Sequence, residues 1–201
     1  MKTAQTIILA SASRARAALL EQAGLTIACY PASVDEEEIK LSCRAAGLKP
    51  DEVAEALADL KAQRVSPRHP GRFVIGADQM LECEGRWFDK PADRARARTQ
   101  LQDLRGKRHR LISAVVVMKD GQRLWHHIDS ATLTMRPFSD GFLDHYLDAV
   151  GDDVLHSVGA YHLEGLGAQL FARVEGDYFT ILGLPLLPVL DFLRVNGVLE
   201  A

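Results

Sequence analysis

Two rhythms of apolar and polar positions run along this chain, and together they outline its elements. Short runs rich in β-branched or apolar residues stand at 6–10 (TIILA), 25–31 (LTIACYP), 73–78 (FVIGAD) and 109–118 (HRLISAVVVM). Runs of that length, bounded by Ser, Gly, Pro or charge, predict strands. Between them, apolar residues recur at three- and four-residue spacing, the mark of an amphipathic helix. Ala and Leu over residues 14–23 predict a first helix, stopped at Gly24 and capped by Ser11 or Ser13. A second helix is predicted over 50–66, with Val53, Leu57 and Leu60 inward and Lys61 at the edge of that face, most simply snorkelling to the surface. A third, over 92–104, takes Pro91 at its first position and Ala95, Leu101 and Leu104 as anchors. Residues 42–48 fit neither rhythm.

The turn signals join these pieces. Glu84-Gly85 predicts a hairpin within 80–88, and Lys119-Asp120-Gly121 predicts another that pairs the 109–118 strand with 122–135, where Ile128, Ala131 and Leu133 are the main apolar positions. Ser139 caps a helix to about Val150, with Phe142, Tyr146 and Leu147 inward. A loop follows at 151–157. Gly183-Leu184-Pro185 opens a last helix that ends by Asn196-Gly197. Strands alternating with helices, plus a long hairpin, predict an α/β fold: a mixed, twisted sheet with flanking helices. The 201 residues suit one domain, 1–201, built either as one unit or as two lobes around a shared cleft.

Composition narrows the function. Hydrophobic residues make up 47% of the chain, enough for a packed core. A net charge of -3 argues against coating nucleic acid or a polybasic membrane contact. Cys29, Cys43 and Cys83 are odd in number and form no CxxC pair, which fits a reducing compartment and neither a zinc site nor a disulfide framework. The N-terminal stretch is apolar only over 7–10, too short for a signal-peptide core or a membrane span. The expectation is a cytoplasmic protein that contacts neither nucleic acid nor membrane.

Three stretches hold candidate chemistry. Asp78 and Gln79 end the apolar run of 73–80, and strand ends of open α/β sheets are where ligands bind. An Asp there can hold a metal ion or position a water; on this stretch alone, an Asp that caps a turn is the simpler account. The Ser11–Ser13 turn leads from a strand into a helix N-terminus, with Arg14 and Arg16 close by. That arrangement suits an anion, and it equally describes a capped helix with two solvated arginines. The acidic run at 33–38 reads as a solvated face or a helix start, from which one carboxylate could reach a cleft. Gly159, Gly165, Gly167, Gly176 and Gly183 suggest tight turns or close approach to a ligand, but they do not form GxGxxG after a strand.

Five separated stretches then match one family in order: LASASRARAALL (9–20), VDE (34–36), LADLKA (57–62), GADQ with the downstream DKP (76–79, 89–91), and AYHLEG…EGDYFTILGLPL (160–186). The chain resembles the Maf-type nucleoside triphosphate pyrophosphatases over nearly its whole length. The resemblance implies a two-lobed α/β fold with a central cleft. It also implies hydrolysis of a nucleoside triphosphate to the monophosphate and pyrophosphate, assisted by a divalent metal such as magnesium or manganese. It makes Asp78 the general base. It places Ser11, Arg16, Glu36, Lys61 and Lys90 around the phosphates and metal, with Glu36 and Asp78 as metal ligands. The residue chemistry agrees: a triphosphate needs cations and N–H donors, and magnesium needs hard oxygen ligands, which Glu36, Asp35 or Asp78 can supply.

The departures from the family pattern bear on the base. Ala15 stands where relatives carry a large or basic residue, and Ala17 replaces a second arginine. Gln79 and Glu164 resemble the branch that prefers 7-methyl-GTP rather than the dTTP and UTP branch, which usually has Thr and Gln there. A carboxylate at 164 can accept from a guanine edge and favours a cationic, methylated ring; capping the turn beside Gly165 would serve it as well. The alternatives are a dTTP/UTP pyrophosphatase or a low-turnover nucleotide-binding regulator of septum formation and cell division. A transferase using Ser11 as nucleophile lacks a His partner or a GxSxG elbow. The resemblance implies a nucleoside triphosphate as substrate and leaves room for a homodimer.

Overall fold

The computed structural model describes residues 5–200; residues 1–4 and 201, counted in the 1–201 domain reading, lie outside the described residues. In chain order the elements are β1 (Ile7–Leu9), α1 (Arg14–Gln22), β2 (Ile27–Cys29), α2 (Glu36–Ala45), α3 (Pro50–Val65), β3 (Val74–Cys83), β4 (Arg86–Phe88), α4 (Arg94–Leu104), β5 (Arg108–Lys119), β6 (Gln122–Met135), α5 (Asp140–Val150), β7 (Phe171–Glu175), α6 (Tyr178–Ile181) and α7 (Leu186–Val195). Short 3₁₀ turns carry the chain between α5 and β7. Among the described residues no helix is long and apolar enough to cross a membrane.

The strands form one mixed sheet in the order β2-β1-β3-β5-β6-β7, with β4 also on β3. β2, β1 and β3 are parallel, and the remaining pairs are antiparallel. The expected α/β class with a mixed sheet and flanking helices is what the chain adopts. β3 organises the sheet. One edge pairs with β5 from Val74 to Glu82. The other edge pairs with β1 only at Val74 and Ile75, and with β4 only from Leu81 to Cys83. The middle of that edge is left without a strand.

Side chains alternate across β3 and β5 as the pleat requires. Val74, Met80, Ile112, Ala114 and Val116 pack under α3, against Val53, Ala54, Leu57, Ala58 and Ala62. Ile75, Ala77, Val115 and Val117 pack on the opposite face with Leu19 and Leu20 of α1 and Val189, Phe192 and Leu193 of α7. Beyond the unpaired stretch, Leu81, Cys83 and Leu111 enter a third cluster with Ala97, Leu101 and Leu104 of α4 and Leu143, Tyr146 and Leu147 of α5. The sheet thus runs through two packed halves.

Several sequence expectations need correcting. Asp78 is not at a strand end: it sits opposite Ala114 in the middle of β3, because buried Met80, Leu81 and Cys83 continue the strand beyond it. Pro91 does not open α4. Asp93 is the N-cap, its carboxylate accepting the Arg96 N–H at 2.7 Å, so a capping side chain sets the start rather than the proline. Ala97, not the exposed Ala95, is the first apolar anchor of that helix. On α3 the buried stripe runs through Val53, Leu57 and Lys61, with Leu60 only half-buried. Lys61 therefore takes a core position instead of snorkelling outward. Residues 42–45 complete α2, whose N-cap is Asp35.

α3 lies close to β3 because of one glycine. A Cβ on Gly76 would run into the Ala58 carbonyl oxygen and stand 2.7 Å from the Ala62 nitrogen and 2.9 Å from its Cβ. Small residues at Ala58 and Ala62, one helical turn apart, and glycine opposite let the backbones meet. Gly76→Ala should therefore push α3 off the sheet and cost about 3 kcal/mol. Urea unfolding would show it as a lower midpoint at similar slope; an unchanged midpoint would mean that the helix shifts freely.

Candidate active site

The gap on the edge of β3 opens into a cleft of about 580 Å³. The cleft lining includes Ser11, Ala15, Arg16, Glu36, Lys61, Asp78, Gln79, Lys90 and Glu164. It does not include Arg14 or Asp35, the latter engaged as the N-cap of α2, where it accepts the Glu38 N–H at 3.0 Å. Ala17 is not part of that lining; it packs against the core cluster shared by α1 and α7.

Arg16 fills the gap itself. Backbone carbonyls left unpaired in a buried place need a donor. The Arg16 side chain, 8% exposed as a residue, donates from Nη1 to the Ala77 carbonyl at 2.8 Å and from Nε to the Gly183 carbonyl at 2.7 Å. Nη1 also donates to Ser11 Oγ at 3.2 Å. These bonds leave Nη2 out. α1 is placed for this by its cap, Ser13 Oγ accepting the Arg16 N–H at 3.3 Å. Burial pulls the guanidinium pKa down, and the charges of Asp78 and Glu36 act against that pull.

On the α3 face, the Lys61 ammonium stands between two carboxylates. Nζ is 2.5 Å from Asp78 Oδ1 and 2.6 Å from Glu36 Oε1. The Lys61 and Asp78 side chains are 9% and 6% exposed, and Glu36 is 44% exposed. Asp78 Oδ2 is buried and has no hydrogen-bond partner among the described residues. Burial alone would raise the Glu36 pKa, but Lys61, Lys40 and Lys90 together hold it below the ordinary range.

Lys40 was not foreseen. It lies one turn after Glu36 on α2, lines the cleft, and reaches Asp89 at 2.5 Å. Burial would lower its pKa; the Asp89 bond and charge, helped by Asp78 and Glu36, keep it raised. Reading the acidic run as the start of a helix through 42–45 would have put Lys40 four residues from Glu36, on the same face. Lys90 differs. It has no ion-pair partner among the described residues, and burial followed by the nearby Arg16 charge lowers its pKa.

On the other face of β3, Gln79 ties the C-terminal segment down. Its amide nitrogen donates to the Thr180 carbonyl at 3.1 Å, the Ile181 carbonyl at 3.0 Å and Ser113 Oγ at 3.0 Å. Ser113 Oγ donates to the same Thr180 carbonyl, and Thr180 Oγ1 reaches Asp129 at 2.9 Å. The Gln79 oxygen is turned toward Gly183 and Arg16. Across the cleft, Tyr161 shares a 2.7 Å hydrogen bond with His109 Nε2. Burial pushes the His109 pKa down to about 4, so at neutral pH the ring is uncharged. Glu164 stands beside His162, at 3.6 Å.

The arrangement can bind a polyanion with a base attached. Arg16, Lys40, Lys61 and Lys90 share the cleft wall with Ala15, Gln79, Tyr161 and Glu164. Comparison with known proteins agrees. Residues 6–196 match the family described as Maf-like protein. A protein of Paramagnetospirillum magneticum named nucleoside triphosphate pyrophosphatase is 63% identical over 192 residues, covering 96% of this chain and 99% of that protein. One of Granulibacter bethesdensis with the same name is 55% identical over 193 residues, covering 96% and 98%. A Rhizobium etli protein named 7-methyl-GTP pyrophosphatase is 50% identical over 194 residues, covering 96% and 98%.

The buried pair yields a test of its own. Lys61→Met leaves the Asp78 carboxylate buried without its cation, which should cost about 3 kcal/mol of stability. Adding Asp78→Asn removes the stranded charge and should restore most of that loss. Denaturant titration of the single and double variants checks both steps; equal stabilities would mean that the two groups are not coupled.

Proposed function

The chain belongs to the Maf-like protein family, and from that premise we propose how its cleft works as a nucleoside triphosphate pyrophosphatase. The reaction is hydrolysis of a nucleoside triphosphate to the monophosphate and pyrophosphate. One observation carries the assignment of roles: Asp78 is a buried carboxylate with one oxygen fixed on Lys61 and the other facing no partner, in a wall of the cleft. A carboxylate held that way accepts a proton from a water poised beside it.

In this reading, Asp78 Oδ2 takes the proton as the water oxygen bonds to the α-phosphorus. The bond from that phosphorus to the β-bridging oxygen breaks, and the pyrophosphate leaves with the electron pair. Lys61 keeps Asp78 oriented. Lys90 and Arg16 Nη2 carry the developing charge on the phosphates, and Ser11 with the α1 N-terminus supplies further donors. Lys40, released from Asp89, can join them.

Glu36 and Asp78 fit a divalent ion such as magnesium or manganese. The half-exposed Glu36 carboxylate is a hard donor in the cleft wall, with the Asp78 carboxylate near it across Lys61; one Asp78 oxygen would hold the ion only while it is not carrying the transferred proton. Among the described residues no group of three or more such side chains gathers, so phosphate and water oxygens would complete the shell, as magnesium prefers. A bound ion there would neutralise phosphate charge.

For the base we favour a guanine methylated at N7. Glu164 supports this: it lines the cleft, its ion-pair partner is His162 rather than one of the lysines, and a carboxylate accepts from a guanine edge and favours a cationic ring. Gln79 contributes its oxygen, since its nitrogen is engaged, and the small Ala15 leaves the pocket wide. A cytoplasmic, reducing setting suits the three free thiols Cys29, Cys43 and Cys83, and a homodimer remains compatible with this reading.

Two variants test the reading. Asp78→Asn should lower kcat at least about a hundredfold while the protein stays folded, measured as pyrophosphate release with magnesium or manganese. Near wild-type turnover would make Asp78 structural. Glu164→Gln should cut kcat/KM for 7-methyl-GTP roughly ten- to a hundredfold relative to UTP and dTTP. If 7-methyl-GTP, GTP, UTP and dTTP keep their ranking in that variant, Glu164 does not read the base.

A further inference from the structure

His162 and Glu164 stand on one tight turn in the cleft wall. Its backbone is fixed: the His162 carbonyl accepts the Gly165 N–H at 3.2 Å, and Gly167 packs so closely that a Cβ there would come within 3.0 Å of the His162 nitrogen. The ring is therefore held where both its nitrogens meet acceptors. Nε2 lies 3.1 Å from the backbone oxygen of Asp153, and Nδ1 lies 3.6 Å from Glu164 Oε1. The first is a hydrogen bond; the second is longer than one and counts as an ion-pair distance. A neutral ring can donate to the Asp153 oxygen alone, whereas an imidazolium donates there and also pairs with the Glu164 charge.

We propose that His162 is a specificity-determining residue: as an imidazolium it holds Glu164 in an ion pair, and loss of its Nδ1 proton releases that carboxylate to a cationic base. The proposal rests on Glu164 reading the base. The electrostatics agree with the geometry. The Glu164 contact, then the Asp153 carbonyl and the Glu164 and Asp153 charges, raise the His162 pKa against the opposing effect of burial. In return, His162 draws the Glu164 pKa down. The charged and titratable groups facing the ring are thus Glu164 and Asp153, with His156 in the same wall of the cleft. The pair is about one-third exposed, with side-chain exposures of 33% and 37%, so protons and substrate both reach it.

The consequence is competition between two cations for one carboxylate. Below the His162 pKa, a ring methylated at N7 meets a carboxylate already neutralised and an imidazolium that repels it. Above that pKa, the carboxylate is free. The ratio of kcat/KM for 7-methyl-GTP over GTP should therefore rise with pH through the His162 titration, by roughly two- to fivefold for a pair one-third exposed.

The test compares wild type, His162→Gln and Glu164→Gln. Selectivity is measured from about pH 6 to 9, and the imidazole titration is followed by NMR on ¹³C-labelled histidine. The base's own proton equilibria enter every protein alike and cancel in the comparison. Expected results are a His162 titration above the ordinary imidazole range, a return toward that range in Glu164→Gln, and a flatter selectivity profile in His162→Gln. If the ranking of nucleotides changes in Glu164→Gln but the profile in His162→Gln follows wild type, the proposal fails and the base reading stands. An unchanged ranking in Glu164→Gln overturns both. A His162 titration at the ordinary value in wild type overturns the proposal alone.

Discussion

The structure depends on a strand that is paired along its whole length on one side and only at its ends on the other. β3 needs partners for every buried backbone group, and β5 supplies one edge completely. On the opposite edge, β1 and β4 stop short of each other, and the carbonyl of Ala77 falls between them. A buried carbonyl without a donor costs roughly 1–3 kcal/mol, so the interval has to be closed by something other than a strand. Arg16 closes it, and the same guanidinium reaches the carbonyl of Gly183 from the far end of the sequence. A cation is thus fixed at the mouth of the cleft by the demands of the sheet. The pleat then turns Asp78 to the α3 side and Gln79 to the α6 side, so two neighbouring residues face different halves of the pocket.

What the sequence revealed follows from how local each determinant is. The Asp120-Gly121 hairpin, the Ser139 cap, the Gly24 stop and the extent of β6 all rest on residues within a few positions of each other, and all were readable. The start of α4 was misread because two local signals competed: Pro91 suits a first helical turn, but Asp93 makes the better cap. Lys61 was placed at the rim of α3 because helical spacing alone treats lysine as a surface residue. Its burial follows from Gly76, Ala58 and Ala62, which draw the helix onto the strand and bring the ammonium to Asp78. Lys40 could be placed on the face of Glu36 only once 36–45 is read as one helix, and no spacing rule links it to Asp89. The same holds for His162 and the Asp153 carbonyl, which lies on a separate turn. The family motifs marked the residues of the cleft, while the engagement of the Gln79 nitrogen by Thr180 and Ile181 is a property of the packed chain.

The cations of the cleft are not equivalent, and their differences set an order for binding. Lys61 is held by two carboxylates and Lys40 by one; Arg16 is partly spent on backbone. Each can interact with a phosphate only by sharing or leaving a partner it already has. Lys90 has no such partner among the described residues, and the neighbouring positive charge of Arg16 works against its protonated form. An anion placed near Lys90 relieves that repulsion, whereas near Lys61 it meets Asp78 and Glu36 as well. In the proposed reading, the first phosphate contact is therefore most favourable at Lys90, with Arg16 Nη2 beside it. Lys40 can follow by exchanging exposed Asp89 for a phosphate oxygen, a small loss because that pair is open to water on one side. Lys61 stays where it is, because taking it away would leave Asp78 charged and buried. If Asp78 is the base as proposed, the group that orients it is thus the one least able to be drawn off by the substrate.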